Sequence, residues 1–276
     1  MNLADILTQA RHELGIRVDF SLALFSMALI LARLLPVIIF SPFLGGESMP
    51  AQVRMGLGVV LGVLLFPALS EQVVKIPLEV IPYLALMLKE VFIGFALSFM
   101  VGLVFHAAAA AGAFMDSFSG VTQAQMMVPQ LQRQVTLYSS LKFQLSVVLF
   151  LTLDGHHWII GGLADSFLTL PLNEFPPFSL GMWPFVELVM RTFGDLFRIG
   201  LILSSPVLLA IFLTEAALGT INRAAPQIQV FFIAMSIKPA VAALIVIVAL
   251  HLIVQRLIQE YGVMFRHFNR ALGLFG

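Results

Sequence analysis

The chain has 276 residues, is 60% hydrophobic and carries 15 acidic and 15 basic side chains. Only 11% of it is charged, against about 25% in a soluble domain, and its mean hydropathy is +1.00. A single soluble core of this size cannot hide so much apolar surface, the neutral balance offers no basic patch for nucleic acid, and the absence of cysteine excludes disulfides, thiol catalysis and thiolate metal sites.

A membrane-spanning helix needs about 20 mostly apolar residues. Six runs come near that length: 20–44, 54–70, 80–112, 139–164, 190–221 and 230–258. The expected fold is all-α, a polytopic helical membrane protein with one membrane-embedded domain over 1–276. Asp5, Arg11, Glu13 and Arg17 interrupt the N-terminus, so the first apolar helix is expected to be retained and not cleaved as a signal peptide. Pro36 and Pro42 flank Ser41, and Gly45, Gly46 and Pro50 mark a loop before Arg54. The second run is short and holds Pro67, which suits a partial span, and its glycines (GLGVVLG, 56–62) suit close helix packing. The third is too long for one straight span and is expected to tilt, break or extend beyond the bilayer. Polar connections follow at 71–79 and 116–138. A Pro-rich loop at 171–184 places Trp183 where an interfacial anchor would sit. Residues 222–229 (NRAAPQIQ) separate the last two runs. The basic tail, 256–276, carries Arg266, His267 and Arg270 beside Tyr261 and Phe268. It reads as an amphipathic end near an anionic membrane surface, favouring a cytoplasmic C-terminus.

Charges inside the apolar runs are the main anomaly: Arg33, Lys89, Glu90, Lys142, Asp154, Arg198, Glu215 and Lys238. Each costs about 2.5–3.5 kcal/mol at the centre of a bilayer. Pairing between helices or subunits is the first expectation. A conduit or proton relay, and helices seated in a protein assembly instead of lipid, are the others. The segment 112–134 gathers Gln123, Gln125, Gln130, Gln132 and Gln134 around Met126 and Met127, with Gly120 and Pro129 as breakers. Uncharged hydrogen-bonding groups with adaptable methionines suit a loop that seals a passage and then yields; an ordinary exposed connection is the alternative. His156 and His157 follow Asp154, but neighbours on a helix point to different faces, so joint metal ligation is not expected. No P-loop, no GxSxG elbow and no paired catalytic motif is present, so no enzyme activity, cofactor or metal is expected.

Four stretches in this order resemble one family, the FliR/SctT export-gate subunit of type III secretion systems. They are RLLPVIIFSPFLGGESMPAQVRMGLG (33–58), HAAAAAGAFMD (106–116), LFLTLDGHHWIIGGLADSFLTLPL (149–172) and ALGTINRAAPQIQVFFIAMSIKPAV (217–241). The resemblance covers about residues 20–260. The DGHHW and LPL elements lean towards the flagellar branch, which is favoured, and FFIAMSIKP towards the injectisome. Flagellar members usually carry Asp-Pro in the polar loop; here the pair is Val128-Pro129.

The resemblance implies helix hairpins built into a helical hetero-oligomeric gate of the bacterial inner membrane, at the flagellar basal body or injectisome base. One copy would join five FliP/SctR-like and four FliQ/SctS-like subunits, with an FlhB/SctU-like switch protein, membrane lipid and unfolded export substrates as further partners. Energy would come from a separate ATPase and the proton motive force. It also implies that roughly 112–130 plugs the passage. The expected plug and gating residues are Gly112, Phe114, Met115, Asp116, Phe118, Gly120, Gln123, Gln125, Met126, Met127 and Pro129, with Gly112 and Gly120 as hinges. Arg33, Lys89, Glu90, Glu215, Arg223 and Lys238 would be intersubunit or intramembrane charge pairs. The competing class is a stand-alone transporter or channel for a small solute, which the intramembrane charges support and the lack of an internal repeat opposes.

Overall fold

A computed structural model describes residues 20–44, 49–73, 76–77, 79–120, 136–176, 182–227 and 229–275. Every regular element among them is helical. In chain order these are α1 (Phe20–Phe40), a 3-10 turn (Pro42–Leu44), α2 (Ala51–Leu65) with a 3-10 extension (Phe66–Leu69), α3 (Ser70–Val73), α4 (Val80–Phe118), α5 (Leu137–Thr152), α6 (Gly155–Thr169), α7 (Trp183–Ala224) and α8 (Val230–Phe275). Among the described residues five helices are long and apolar enough to cross a membrane, or six if the bent pair α5–α6 is one span.

The chain divides into two compact units. The first holds residues 1–98, 160–179 and 275–276; the second holds 99–159 and 180–274. In the first, α2 lies against α1 because glycines let the backbones approach. A Cβ at Gly58 would stand 3.1 Å from Leu35 Cδ2, and one at Gly62 would stand 2.9 Å from Met27 Sδ. These two are one helical turn apart, the small-xxx-small spacing of close helix contacts; Gly56 faces open space. Pro36 sits inside α1, where its missing N–H and bulky ring disturb the helix ladder. Gly94 of α4 meets α1 at that place: a Cβ there would lie 2.5 Å from the Arg33 carbonyl oxygen and 3.0 Å from Pro36 Cγ.

In the second unit a core of Met115, Tyr138, Val207, Ile211, Ala242 and Val246 joins α4, α5, α7 and α8. Phe105, Phe150 and Tyr261 form an aromatic cluster, with Phe150 edge-on to both others at centroid distances of 5.2 and 5.3 Å. Pro206 interrupts α7 and leaves the Ile202 carbonyl without its helical donor. Ser205 Oγ supplies one at 2.8 Å, and the buried Lys142 ammonium donates to the next carbonyl, Leu203 O, at 2.6 Å.

Three elements differ from the sequence expectation. The third apolar run continues as helix through Phe118, so Gly112 lies inside α4. The run over 139–164 is broken: α5 and α6 meet at a 73° bend. Asp154 takes a left-handed conformation there (φ 56°), which is costly for most residues and commonest for Asn, Asp and Gly. The next position must be glycine, because a Cβ on Gly155 would fall on the Phe150 ring, 2.5 Å from Cζ. Lastly, the basic tail is no separate segment: α8 runs unbroken to Phe275.

Candidate functional site

The buried charges of the first unit form one network. Arg33 and Glu90 are both fully buried. Arg33 donates to the Glu90 carboxylate from Nε (2.5 Å) and Nη2 (3.0 Å), the two-pronged geometry only guanidinium provides. Its remaining donors reach Ser166 O (2.7 Å) and Leu170 O (3.0 Å), and its flat face covers the Phe167 ring at 4.2 Å. Lys89 pairs with Glu90 at 2.7 Å and donates to the carbonyls of Pro171, Leu172 and Glu174. Gln72 adds a bond to Phe167 O at 3.0 Å. A helix ends with carbonyls that have no internal donor, and cations there also meet the favourable end of its dipole. Arg33, Gln72 and Lys89 thus cap the C-terminus of α6 and hold the turn that follows it. Glu90 is the buried anion that contacts both buried cations.

The base of the polar loop lies in the second unit. Asp116, buried in the last turns of α4, accepts from the backbone N–H of Tyr138 through Oδ1 (3.0 Å) and of Ser139 through Oδ2 (3.1 Å). Those are unpaired donors of the first turn of α5, so one carboxylate clasps both ends of the loop. Ser139 Oγ donates to Ala109 O at 3.0 Å. Gly112 permits this contact: a Cβ would collide with the Ser139 backbone and the Tyr138 carbonyl oxygen. Gly112 therefore acts by close approach inside a helix, not as a hinge. Gly120, beyond the end of α4, does adopt a left-handed backbone (φ 82°) that glycine accepts at no steric cost. Met115 is a core residue, Phe114 is half-buried, and Phe118 is 53% exposed. Phe118 borders an apolar cleft of about 440 Å³ with Leu201, Leu209, Phe212 and Glu215. Gln123, Gln125, Met126, Met127 and Pro129 lie outside the described residues.

The α7–α8 hairpin carries paired charges at both ends of an apolar middle. Towards its tip Lys238 contacts Glu215. A second cleft of about 480 Å³ opens there, lined by both residues with Asn222, Gln229, Phe231 and Phe232. Arg223 stands in the last turn of α7, exposed, where the helix dipole favours a cation; it makes no ion pair with any described residue. At the other end Glu260, 1% exposed, pairs with Arg256 at 2.6 Å and lies 3.9 Å from Arg198. His267 sits between Thr192 Oγ1 (3.1 Å) and Asp195 Oδ2 (3.7 Å). Thr192 also donates to Leu188 O within α7 at 2.7 Å, and the His267 contacts tie α8 to α7. Sequence reading gave no role to Asp195 or Glu260 and placed His267 in a basic surface tail, since long-range partners leave no local signal.

The two adjacent histidines do not diverge as a regular helix would make them. Because α6 starts only at Gly155, after the left-handed Asp154, their rings lie side by side, 4.1 Å between centroids.

The sequence model of the family described as bacterial export proteins, family 1, matches residues 24–263. The chain is 31% identical over 204 residues to the flagellar biosynthetic protein FliR of Escherichia coli K12, covering 74% of this chain and 76% of that protein. It is 28% identical over 227 residues to FliR of Bacillus subtilis, 82% of this chain and 86% of that protein. It is 27% identical over 226 residues to the Yop proteins translocation protein T of Yersinia pestis, 82% of this chain and 85% of that protein. A helical chain with several apolar helices of spanning length, matched over most of its length by this family, belongs to the family 1 bacterial export proteins.

Proposed function

We propose that the chain is a non-enzymatic subunit of a type III protein-export gate of the bacterial inner membrane, with flagellar export favoured. It would work with FliP/SctR-like and FliQ/SctS-like subunits to pass unfolded proteins. The observation that carries this reading is the α7–α8 hairpin. Its helices have 42 and 46 residues, about 63 and 69 Å at 1.5 Å per residue, while a bilayer core is about 30 Å thick. Tilts average about 20°, so only about half of each helix fits within the hydrocarbon core. Yet exposed apolar side chains run further than that: Met190 and Ile221 on α7, and Phe231 and Ile258 on α8, are each at least 42% exposed and stand about 47 and 41 Å apart along their helices. Apolar surface outside lipid needs neighbouring protein.

The polar loop is the proposed plug. Its support is the Asp116 clasp, which ties the end of α4 to the start of α5 on either side of a Gln- and Met-rich segment. The chain would contribute no chemistry; sealing comes from bulky apolar side chains of the loop.

Because the chain has no cysteine, single cysteines report without background. Leu213→Cys and Val248→Cys are placed separately in the chromosomal copy, and native membranes are treated with a thiol cross-linker. Adducts to distinct small membrane proteins are the expected result. Modification only by lipid-phase reagents, with no adduct to another chain, would overturn the reading.

A further inference from the structure

The segment Asp154–His157 belongs to none of the arrangements above. Asp154 is the elbow residue between α5 and α6, and His156 and His157 open α6. One ring nitrogen from each histidine and one carboxylate oxygen of Asp154 all lie within 4.8 Å of one another. Asp154 Oδ1 is 3.5 Å from His157 Nδ1. A separate observation points to a ligand: His156 Nδ1 is buried and has no hydrogen-bond partner. Buried polar atoms normally find one, and leaving one without costs about 1–3 kcal/mol.

We propose that Asp154, His156 and His157 bind one divalent transition-metal ion of the zinc class, with a fourth position open to water. Two imidazoles and a carboxylate are a donor set suited to zinc, nickel or copper(II) and poorly suited to magnesium or calcium, which take oxygen ligands. Zinc bonds of about 2.0–2.2 Å in tetrahedral array put ligand atoms about 3.3–3.6 Å apart. Reaching that from 4.8 Å asks for little movement. The Asp154 and His157 side chains are 79% and 73% exposed, so rotation of these two about a half-buried His156 supplies it. The N-terminus of α6 opposes a cation through its dipole, which makes the Asp154 carboxylate necessary beyond its single bond. The bound ion ties the left-handed elbow residue to the first turn of α6 and stiffens the 73° bend.

The test uses the full chain, purified in mild detergent through a histidine-free affinity tag and stripped with a chelator. Zn²⁺ is titrated in competition with a chromophoric chelator, and Co²⁺ absorption reports the geometry. One Zn²⁺ per chain and a tetrahedral Co²⁺ spectrum are expected. Groups that only hydrogen-bond to metal ligands carry about 10–100-fold in affinity, so His157→Ala and Asp154→Asn should each weaken binding by at least about tenfold. His251→Ala, an exposed histidine of α8, should leave it unchanged. His157→Gln gives the same readout should the alanine variant fold poorly. No Zn²⁺ uptake by the parent chain, uptake that survives both elbow variants, or equal loss in His251→Ala would each overturn the proposal.

Discussion

Replacing Glu90 with glutamine changes almost no volume, so its effect isolates charge. Glu90 is fully buried and is the anion that both Arg33, at 2.5 Å, and Lys89, at 2.7 Å, contact. Glutamine can still accept one hydrogen bond, but it leaves two buried cations unneutralised. An ion pair near 4 Å is worth about 4 kcal/mol at an effective dielectric constant of 20. Two such attractions are lost, and the recovered desolvation of the carboxylate offsets part of them. Breaking a buried pair by removing one partner costs about 3–5 kcal/mol in practice. At about 2–4 °C per kcal/mol for a chain of this size, the apparent Tm of the detergent-purified protein should fall by roughly 6–20 °C. The control is Glu187→Gln. Glu187 pairs with Arg191 at 2.6 Å, but both side chains are largely exposed (45% and 66%), where a pair is worth about 0–1 kcal/mol. Thermal unfolding followed by helical circular dichroism reads both. Equal, small shifts in the two variants would refute the claim that the Arg33–Glu90–Lys89 network holds the end of α6.

The loop base offers a second test: Gly112→Ala drives a Cβ into the Ser139 backbone and should cost about 1–3 kcal/mol, whereas Gly56→Ala, which meets nothing, should stabilise the exposed helix by up to about 1 kcal/mol; both are read as Tm shifts. Asp116→Asn keeps one acceptor and loses the charge at the start of α5, and should destabilise by about 1 kcal/mol, measured in the same way. Deleting residues 121–128 spares α4, α5 and the Asp116 clasp, so assembly should survive while cells become leaky to small ions in a flux assay. Unchanged permeability with assembly intact would count against the plug.

The apolar runs announced the helices because spanning length and hydropathy are local properties. Their ends were less legible. The run over 139–164 was read as one stretch although Asp154-Gly155 is a turn-type pair; the tertiary reason for the glycine, that the Phe150 ring occupies the space a side chain at 155 would need, was not visible. Gly112 looked like a hinge beside the polar loop, yet its use is to admit the backbone of α5 from 26 positions later in the chain, and such an approach leaves no sequence signature. The in-run charges were visible one by one, but their partners were not. Arg33 reaches Glu90 and Ser166, 57 and 133 residues away, and the basic tail proved to be the far end of the hairpin, where Arg256 meets Glu260. The two histidines were judged by regular helical spacing, which the left-handed Asp154 sets aside.

The central claim, that this chain functions as one subunit of a hetero-oligomeric export gate, is tested most directly by native mass spectrometry of the tagged chain extracted in mild detergent from its own bacterium. The account predicts a single heteromeric species in which one copy of this chain accompanies several copies each of two other small membrane proteins. A stable monomer or homo-oligomer carrying no other chain would contradict it.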